Sequence, residues 1–173
     1  MDFNLQPVLK SDLITLRPLR QNDFKLLFKV ASDPLVWELH QQKDRYKEEV
    51  FVTFFDGAMK SKGAFAVIDN KTGLIIGSSR FRVIDESKSV IEIGWSFLGL
   101  NHWGGVYNRE MKKLMINYAL AYFERVVFYV HPKNFRSQRA LEKLGALKGN
   151  NFGDSWVLAK DKGVTFSIDT PLV

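Results

Sequence analysis

The sequence predicts an α/β fold (α+β in arrangement), with a mixed, mostly antiparallel sheet and helices on both faces. Two observations lead to this prediction. Between residues 64 and 98, three β-rich segments follow one another across short turns, as in an antiparallel meander. After them a helical segment separates two apolar runs, and this β-α-β order predicts a crossover and one parallel strand pair.

The length and composition predict one domain. The chain has 173 residues, within the roughly 100–200 of a typical domain, so residues 1–173 form a single predicted unit. The lack of cysteine excludes disulfides, thiolate metal ligands and a cysteine nucleophile. The start lacks a signal-peptide pattern, and no apolar stretch approaches the roughly 18 residues of a membrane span. We therefore expect a cytoplasmic protein without a membrane partner.

The net charge of +6 indicates a basic surface, which attracts nucleic acid, acidic lipid or phosphorylated ligands. No basic run is long, and the nearest one, Lys112-Lys113, is predicted on the polar side of a helix. Solvated basic faces or a phosphate-rich cofactor explain the charge. The aromatic residues follow core periodicities, so we expect no nucleic-acid partner.

The first half of the chain alternates strand and helix. Leu13 to Leu19 predicts a strand, and Asn22 or Asp23 is expected to cap the next helix. Residues 24, 27, 28 and 31 form one apolar helical face, which Asp33-Pro34 interrupts. Residues 35–45 predict a loop or short helix. A second helix carries Phe51, Phe54, Phe55 and Ala58 and is expected to end at Gly63.

The meander follows, with predicted strands at residues 64–69, 74–84 and 90–98 and a turn at 70–73. Next come a loop from Gly99 to Tyr107 and a long helix carrying Met111, Leu114 and Met115. Val126 to Val130 predicts a buried parallel strand. A last helix opens at Asn134 with Gly145 as its C-cap, and strands at 146–148 and 155–159 close the fold around a turn at 150–154.

A phosphate site is predicted where the strand order changes, between residues 90–98 and 126–130. Ligands of open α/β sheets bind at such points. Gly104 and Gly105 lie there, before a helix whose free N–H groups attract phosphate. A tight turn alone would also explain the two glycines.

Asn134 and Ser137 open the following helix. Asn134 suits a helix cap, and Ser137 shares the inward face of Ala140 and Leu141. The Ser137 hydroxyl needs a hydrogen-bond partner, either in its own helix or in the cleft between the two helices.

Together, three segments and the element order resemble the GCN5-related N-acetyltransferases (GNAT), in the branch of bacterial ribosomal-protein N-terminal acetyltransferases. The segments are Glu92 to Trp95, Trp103 to Met111 and Asn134 to Gly145. The resemblance covers roughly Leu13 to Leu158. It implies acetyl-CoA as cosubstrate, an amine acceptor, no metal, and a pantetheine arm lying between two splayed parallel strands.

The resemblance also implies site residues. Gly94 is the expected bulge site on the splayed strand. Ser137 stands where the family often places the proton donor to the leaving thiolate. The residues expected to bind the cofactor are Trp95, Ser96, Phe97, Trp103, Gly104, Gly105, Val106, Tyr107, Asn108, Asn134 and Ser137.

Two departures from the family pattern concern these residues. The family loop commonly reads Arg/Gln-x-x-Gly-x-Gly/Ala, whereas those places hold Trp103, Val106 and Asn108. Many members carry a tyrosine proton donor where this chain has Leu141, which assigns the acid role to Ser137 or to water.

The expected chemistry is direct attack of a neutral amine on the thioester. A backbone N–H near Trp95 or Ser96 would polarise the carbonyl, and Glu92 is the candidate proton acceptor unless it is an ordinary strand carboxylate. The acceptor wall is expected from Trp37, His40, Arg45 and Tyr46, although Trp37 also suits the core. The three histidines are too scattered for a metal site.

The sequence leaves the acceptor open among a protein N-terminus, a polyamine, an amino acid and an antibiotic. It leaves the oligomeric state open between monomer and homodimer. A non-catalytic acyl-CoA sensor on the same fold is the alternative to an enzyme.

Overall fold

A computed structural model of the chain describes residues 3–85, 89–149 and 163–173. In these residues one sheet has eight strands in the order β1-β2-β3-β4-β5-β6-β8-β7, and only β5 and β6 pair in parallel. The strands are β1 (Leu9–Lys10), β2 (Ile14–Pro18), β3 (Ala64–Asp69), β4 (Ile75–Asp85), β5 (Val90–Leu98), β6 (Arg125–Val130), β7 (Leu147–Lys148) and β8 (Val164–Ile168). The predicted mixed, mostly antiparallel sheet is confirmed.

Helices pack on both faces of the sheet, as predicted. They are α1 (Phe24–Ala31), α2 (Glu48–Ser61), α3 (Val106–Leu120) and α4 (Phe135–Glu142). On one face Met111 and Met115 of α3 meet Phe81 and Ile93 in the larger core cluster. On the other face Phe51 and its neighbours in α2 pack with residues of α1 and of the 34–37 turn.

Several local predictions need correction. Asp23 precedes α1 without capping it, because its carboxylate binds the Arg17 guanidinium at 2.7 Å and accepts from the Arg20 N–H. The second helix ends at Ser61, and Lys62 rather than Gly63 takes the left-handed conformation. The sequence reading missed β1 and β8.

The predictions for the C-terminal segment fall partly within the described residues. The predicted strand at 146–148 corresponds to β7, but the predicted turn at 150–154 and strand at 155–159 lie outside the described residues. The strand that pairs with β6 is β8, antiparallel to it from Val126↔Ile168 to Val130↔Val164.

A bulge bends β5 in its middle. Arg80 pairs with Gly94 and Ser78 pairs with Phe97, so Trp95 and Ser96 oppose only Ser79. Trp95 adopts φ +52°, a left-handed conformation that is unfavourable for a bulky residue. The bulge was predicted on this strand, but it lies at Trp95 rather than at Gly94.

β5 separates from its parallel neighbour just before the bulge. The β5–β6 ladder consists of Val90↔Arg125, Ile91↔Val126 and Glu92↔Val127, although both strands continue past these residues. The two strands therefore diverge after Glu92 and leave an opening between them.

Candidate active site

A cavity of about 950 Å³ occupies the opening between β5 and β6. It is bounded by both strands, the start of α3, α4 and residues 36–45. The predicted residues that line it are Glu92, Trp95, Ser96, Phe97, Trp103, Gly104, Gly105, Asn108, Asn134, Ser137, His40 and Arg45. Val106, Tyr107, Trp37 and Tyr46 are not among the lining residues.

The start of α3 forms one end of the cavity. Gly105 is its N-cap and offers no side chain to cap the first N–H groups, and Gly104 has φ +66°. Both glycines are exposed. Free N–H groups and the positive end of the helix dipole make this a site for an anion.

Basic side chains surround that end. The same cavity is lined by Arg109 of α3, by Arg136 and Arg139 of α4, and by Lys143 at the C-terminal end of α4. The Arg136 guanidinium carbon lies 3.6 Å from the centroid of the Trp103 ring, and Trp103 Nε1 donates to the Leu98 carbonyl at 2.7 Å. These contacts tie the glycine loop to β5 and to the start of α4.

Asn134 and Ser137 meet at the start of α4. Asn134 is buried, and its Oδ1 accepts from the Ser137 N–H at 3.1 Å, so it caps the helix as predicted. The Ser137 hydroxyl lines the cavity and has no hydrogen-bond partner among the described residues. Its own helix therefore does not satisfy it.

Glu92 lies at the point where the strands separate. It is 5% exposed, and its Oε2 accepts from Arg82 Nε at 2.7 Å. Burial raises the pKa of Glu92, and the positive charge of Arg82 opposes that rise. Tyr129 lines the same cavity, and its buried hydroxyl has no hydrogen-bond partner in the part of the chain that the structure describes.

Lys112 is a cavity residue that the sequence reading placed wrongly, on a polar helix side. It is 6% exposed, and its Nζ donates to the Ser96 hydroxyl at 2.7 Å. Burial lowers the pKa of Lys112 to about 7, opposed by the charge of Glu92. Its spacing to Met115, Ile116 and Ala119 is i+3, i+4 and i+7, which was a usable signal of burial.

His40 and Arg45 line the other end of the cavity and pack on aromatic rings of the core. The Arg45 guanidinium lies 5.3 Å from the Trp37 ring centroid and 4.7 Å from that of Phe54. Arg80 lies 4.6 Å from the Trp95 ring centroid. His40 packs edge-on against Trp37, and burial together with the charge of Arg45 lowers the pKa of His40 to about 4.

Trp37 and Tyr46 lie behind this end rather than in it. Trp37 is 1% exposed, and its Nε1 donates to the Ala31 carbonyl at 2.7 Å. It therefore belongs to the core, and its ring packs against His40 and Arg45. Tyr46 is half-buried, with the Lys47 ammonium 5.8 Å from its ring centroid.

The described residues contain neither a membrane-spanning helix nor a cluster of metal-ligand side chains. No helix among them is both long and apolar enough to cross a bilayer. Within the same residues, no group of three or more histidine or acidic side chains is placed to hold a metal ion.

The sequence matches the family described as acetyltransferase (GNAT) domain over residues 14–147. A curated relative, the uncharacterized N-acetyltransferase p20 of Bacillus licheniformis, is 27% identical over 81% of this chain and 82% of its own length. The branch of ribosomal-protein N-terminal acetyltransferases is not confirmed by these comparisons.

Solved structures share the fold. A GCN5-related N-acetyltransferase from Brucella melitensis superposes with a TM-score of 0.79 at 25% identity, over 94% of this chain and 78% of that one. A spermidine N-acetyltransferase from Vibrio cholerae, solved with CoA and spermine, gives 0.66 at 12% identity, over 91% of this chain and 94% of the other. The second likeness concerns the fold alone.

Proposed function

The chain belongs to the GNAT acetyltransferase family, and we propose that it moves an acetyl group from acetyl-CoA to a primary amine by direct attack in a ternary complex. The observation that carries the proposal is the separation of β5 and β6 after Glu92, with the uncapped start of α3 at one end of the opening. A slot and an anion site in one cavity suit a long arm that ends in a diphosphate.

The residues present fit acetyl-CoA. The N–H groups from Gly104 to Asn108 would hold the diphosphate, and Arg109, Arg139 and Lys143 would balance further phosphate charge. The arm would lie along Trp95 to Phe97, with Asn134 as a polar contact. Val106 and Tyr107 would contribute through their backbone.

The cosubstrate supplies a thioester, and the protein supplies position and proton transfer. Holding both reactants in one cavity accounts for roughly 7–11 kcal/mol of barrier reduction in well-oriented systems. An N–H near Trp95 or Ser96 would polarise the carbonyl, because the bulge turns backbone groups of β5 away from its ladder.

Two side chains would move protons. Glu92 would accept the proton of the attacking amine, directly or through water, since it is buried, lines the cavity and holds its charge beside Arg82. Ser137, whose hydroxyl is unpaired among the described residues, would donate to the leaving thiolate.

The acceptor is a peptide N-terminus or a small amine, bound on the side of His40 and Arg45. We propose that the reaction takes place in the cytoplasm, where acetyl-CoA is available. The non-catalytic acyl-CoA sensor is the alternative against which the test is designed.

A binding assay and a turnover assay test the proposal together. Acetyl-CoA should raise the melting temperature with increasing concentration, as mass action requires. A panel of amines should then release free CoA thiol. Binding without turnover across the panel would favour the sensor, and failure to bind would remove the proposal.

A matched glycine pair locates the binding site. Gly104 and Gly73 both have positive φ, at +66° and +70°, and neither has a neighbour within 4 Å of an added Cβ. A valine at either position strains the backbone to a similar extent. Gly104→Val should weaken acetyl-CoA binding by about tenfold, whereas Gly73→Val should lower stability only.

A further inference from the structure

Two arginines stacked on aromatic rings lie at the end of the cavity that His40 and Arg45 line, which we call the acceptor end. Both guanidiniums share the Phe54 ring, with Arg45 at 4.7 Å and Arg80 at 5.8 Å from its centroid. Arg80 also stacks on Trp95 at 4.6 Å. Arg45 lines the cavity, whereas Arg80 is not among the lining residues. We call these four residues the arginine wall.

The other cations of the cavity face Glu92 or the expected phosphate groups, whereas Arg45 has no counter-charge among the described residues. Arg82 pairs with Glu92 at 2.6 Å. The end of the cavity at the start of α3 is called the phosphate end, and the cations assigned to it are Arg109, Arg136, Arg139 and Lys143. Glu92 is also the one acidic residue among those lining the cavity in the described chain.

Neither arginine of the wall forms an ion pair with an acidic side chain in the part of the chain that the structure describes. Arg45 donates to the neutral Gln42 Oε1 at 2.7 Å. Arg80 is 7% exposed, and the charge of Glu92 acts on it without a hydrogen bond. An anion in the cavity would form a charge-assisted bond with Arg45, stronger than its bond to a neutral amide.

The aromatic rings hold the charges in place while no anion is bound. Burial lowers the pKa of Arg45 to about 10. Burial and repulsion by Arg45 lower the pKa of Arg80 to about 10 as well. Both side chains remain cations at neutral pH, so the wall is a preformed anion site that repels cationic ligands.

Resting on the proposed function, we propose that the acceptor is a small amine that carries a carboxylate, that Arg45 binds this carboxylate in the cavity, and that Arg80, on the same Phe54 ring, adds positive charge beside it. Arginine pairs with carboxylates in a two-point geometry, so one wall can fix both affinity and orientation. The carboxylate would lie close to the reacting amine. Arg80 stacks on Trp95, and Trp95 forms the bulge near Glu92, the proposed acceptor of the amine's proton. A polyamine lacks this group and adds positive charge.

The carboxylate belongs to the acceptor rather than to the acyl group. Arg80 lies on β4 and Arg45 on the turn at Lys43–Tyr46, both outside the β5–β6 opening that would hold the acyl-CoA arm. A donor-borne carboxylate, as in succinyl-CoA, is the competing source that the experiment includes.

The test uses matched probes on the full chain. Thiol release is measured with amino acids and their C-terminal amides as acceptors, at several side-chain sizes. Binding of the corresponding N-acetyl amino acids and N-acetyl amides is measured by calorimetry in the presence of CoA. Succinyl-CoA replaces acetyl-CoA in a separate arm.

We expect the carboxylate member of each favoured pair to bind and react about 10–100-fold better. Arg45→Gln should remove most of that preference, and Arg80→Gln, which removes a neighbouring charge, a smaller part of it, and both should leave the Kd of CoA within about twofold. Arg45→Lys, which keeps the charge, should retain part of it, and a folding defect would appear as altered CoA binding.

Equal turnover with acids and amides would overturn the carboxylate inference and leave acetyl transfer standing. A preference for succinyl-CoA that the arginine variants abolish would also overturn it. Loss of turnover with every amine would instead overturn the proposed function. The calorimetric comparison would then decide alone whether the wall selects carboxylates.

Discussion

The two ends of the cavity differ in their chemical groups: backbone N–H groups at one end and side chains stacked on aromatic rings at the other. At the proposed phosphate end, backbone N–H groups and exposed glycines would provide the site, and Arg109, Arg139 and Lys143 are exposed. At the acceptor end, buried side chains stack on rings, and burial shifts the pKa values of His40, Arg45 and Arg80. Substitutions should therefore be tolerated at the first end and coupled to charge and pH at the second.

The largest effect is expected from Glu92→Gln, between the two ends. Removing a proton acceptor lowers turnover by roughly 100-fold or more. Because burial raises the pKa of Glu92, wild-type activity should fall as pH drops through that raised value, and the variant should lack this acid limb. Steady-state kinetics across pH measures both. Glu110→Gln on α3 is the control, and an equal loss of CoA affinity in the Glu92 variant would contradict the assignment.

The second effect concerns stability. The pKa of Lys112 is about 7 in the folded chain and near 10.5 when unfolded. Between these values the unfolded state binds more protons, so stability rises with pH, and the cost of burial is complete below pH 7. Lys112→Met should stabilise the protein by about 1–4 kcal/mol at pH 7 and flatten this rise. Denaturation at several pH values measures it, with Lys113→Met as control; parallel curves for wild type and Lys112→Met would refute the buried charge.

A smaller effect is expected at Asn134, where substitutions can separate its role in capping α4 from its proposed role in binding CoA. Asn134→Ala should cost about 1 kcal/mol of stability because the Ser137 N–H loses its acceptor. It should also weaken CoA binding by about fivefold, through loss of one hydrogen bond. Asn134→Ser restores a capping oxygen without the amide donor, so melting temperature should recover while CoA affinity does not. Joint recovery of both would assign Asn134 to the fold alone.

The smallest effect is expected at Ser137. Ser137→Ala should lower turnover by up to about tenfold and change the Kd of CoA by less, since water can replace a proton donor. Ser137→Thr keeps the hydroxyl and should retain most activity. Equal turnover in wild type and Ser137→Ala would remove this residue from the mechanism.

The sequence signals are more local at the proposed phosphate end than at the proposed acceptor end. Glycines before a helix and an asparagine cap are local signals, and β3 and β5 were placed at their observed bounds. The acceptor end depends on contacts between distant segments, such as Arg45 and Arg80 on one Phe54 ring. No periodicity reveals such a contact.

Tertiary packing also overrode local propensity at two positions. Trp95 takes the left-handed conformation beside a glycine that could adopt it more easily. Lys112 is buried on a helix whose charged residues ordinarily face water. Both exceptions line the cavity, and departures from local rules are expected at functional sites.

The separation of β5 from β6 has a consequence for solubility. A strand edge with unpaired backbone groups ordinarily recruits strands from other molecules and promotes aggregation. Here the edge of β5 after Glu92 faces a cavity between its own helices, with β4 still paired along the opposite edge. The protein thus keeps a hydrogen-bonding template for a narrow ligand while hiding it from neighbouring chains.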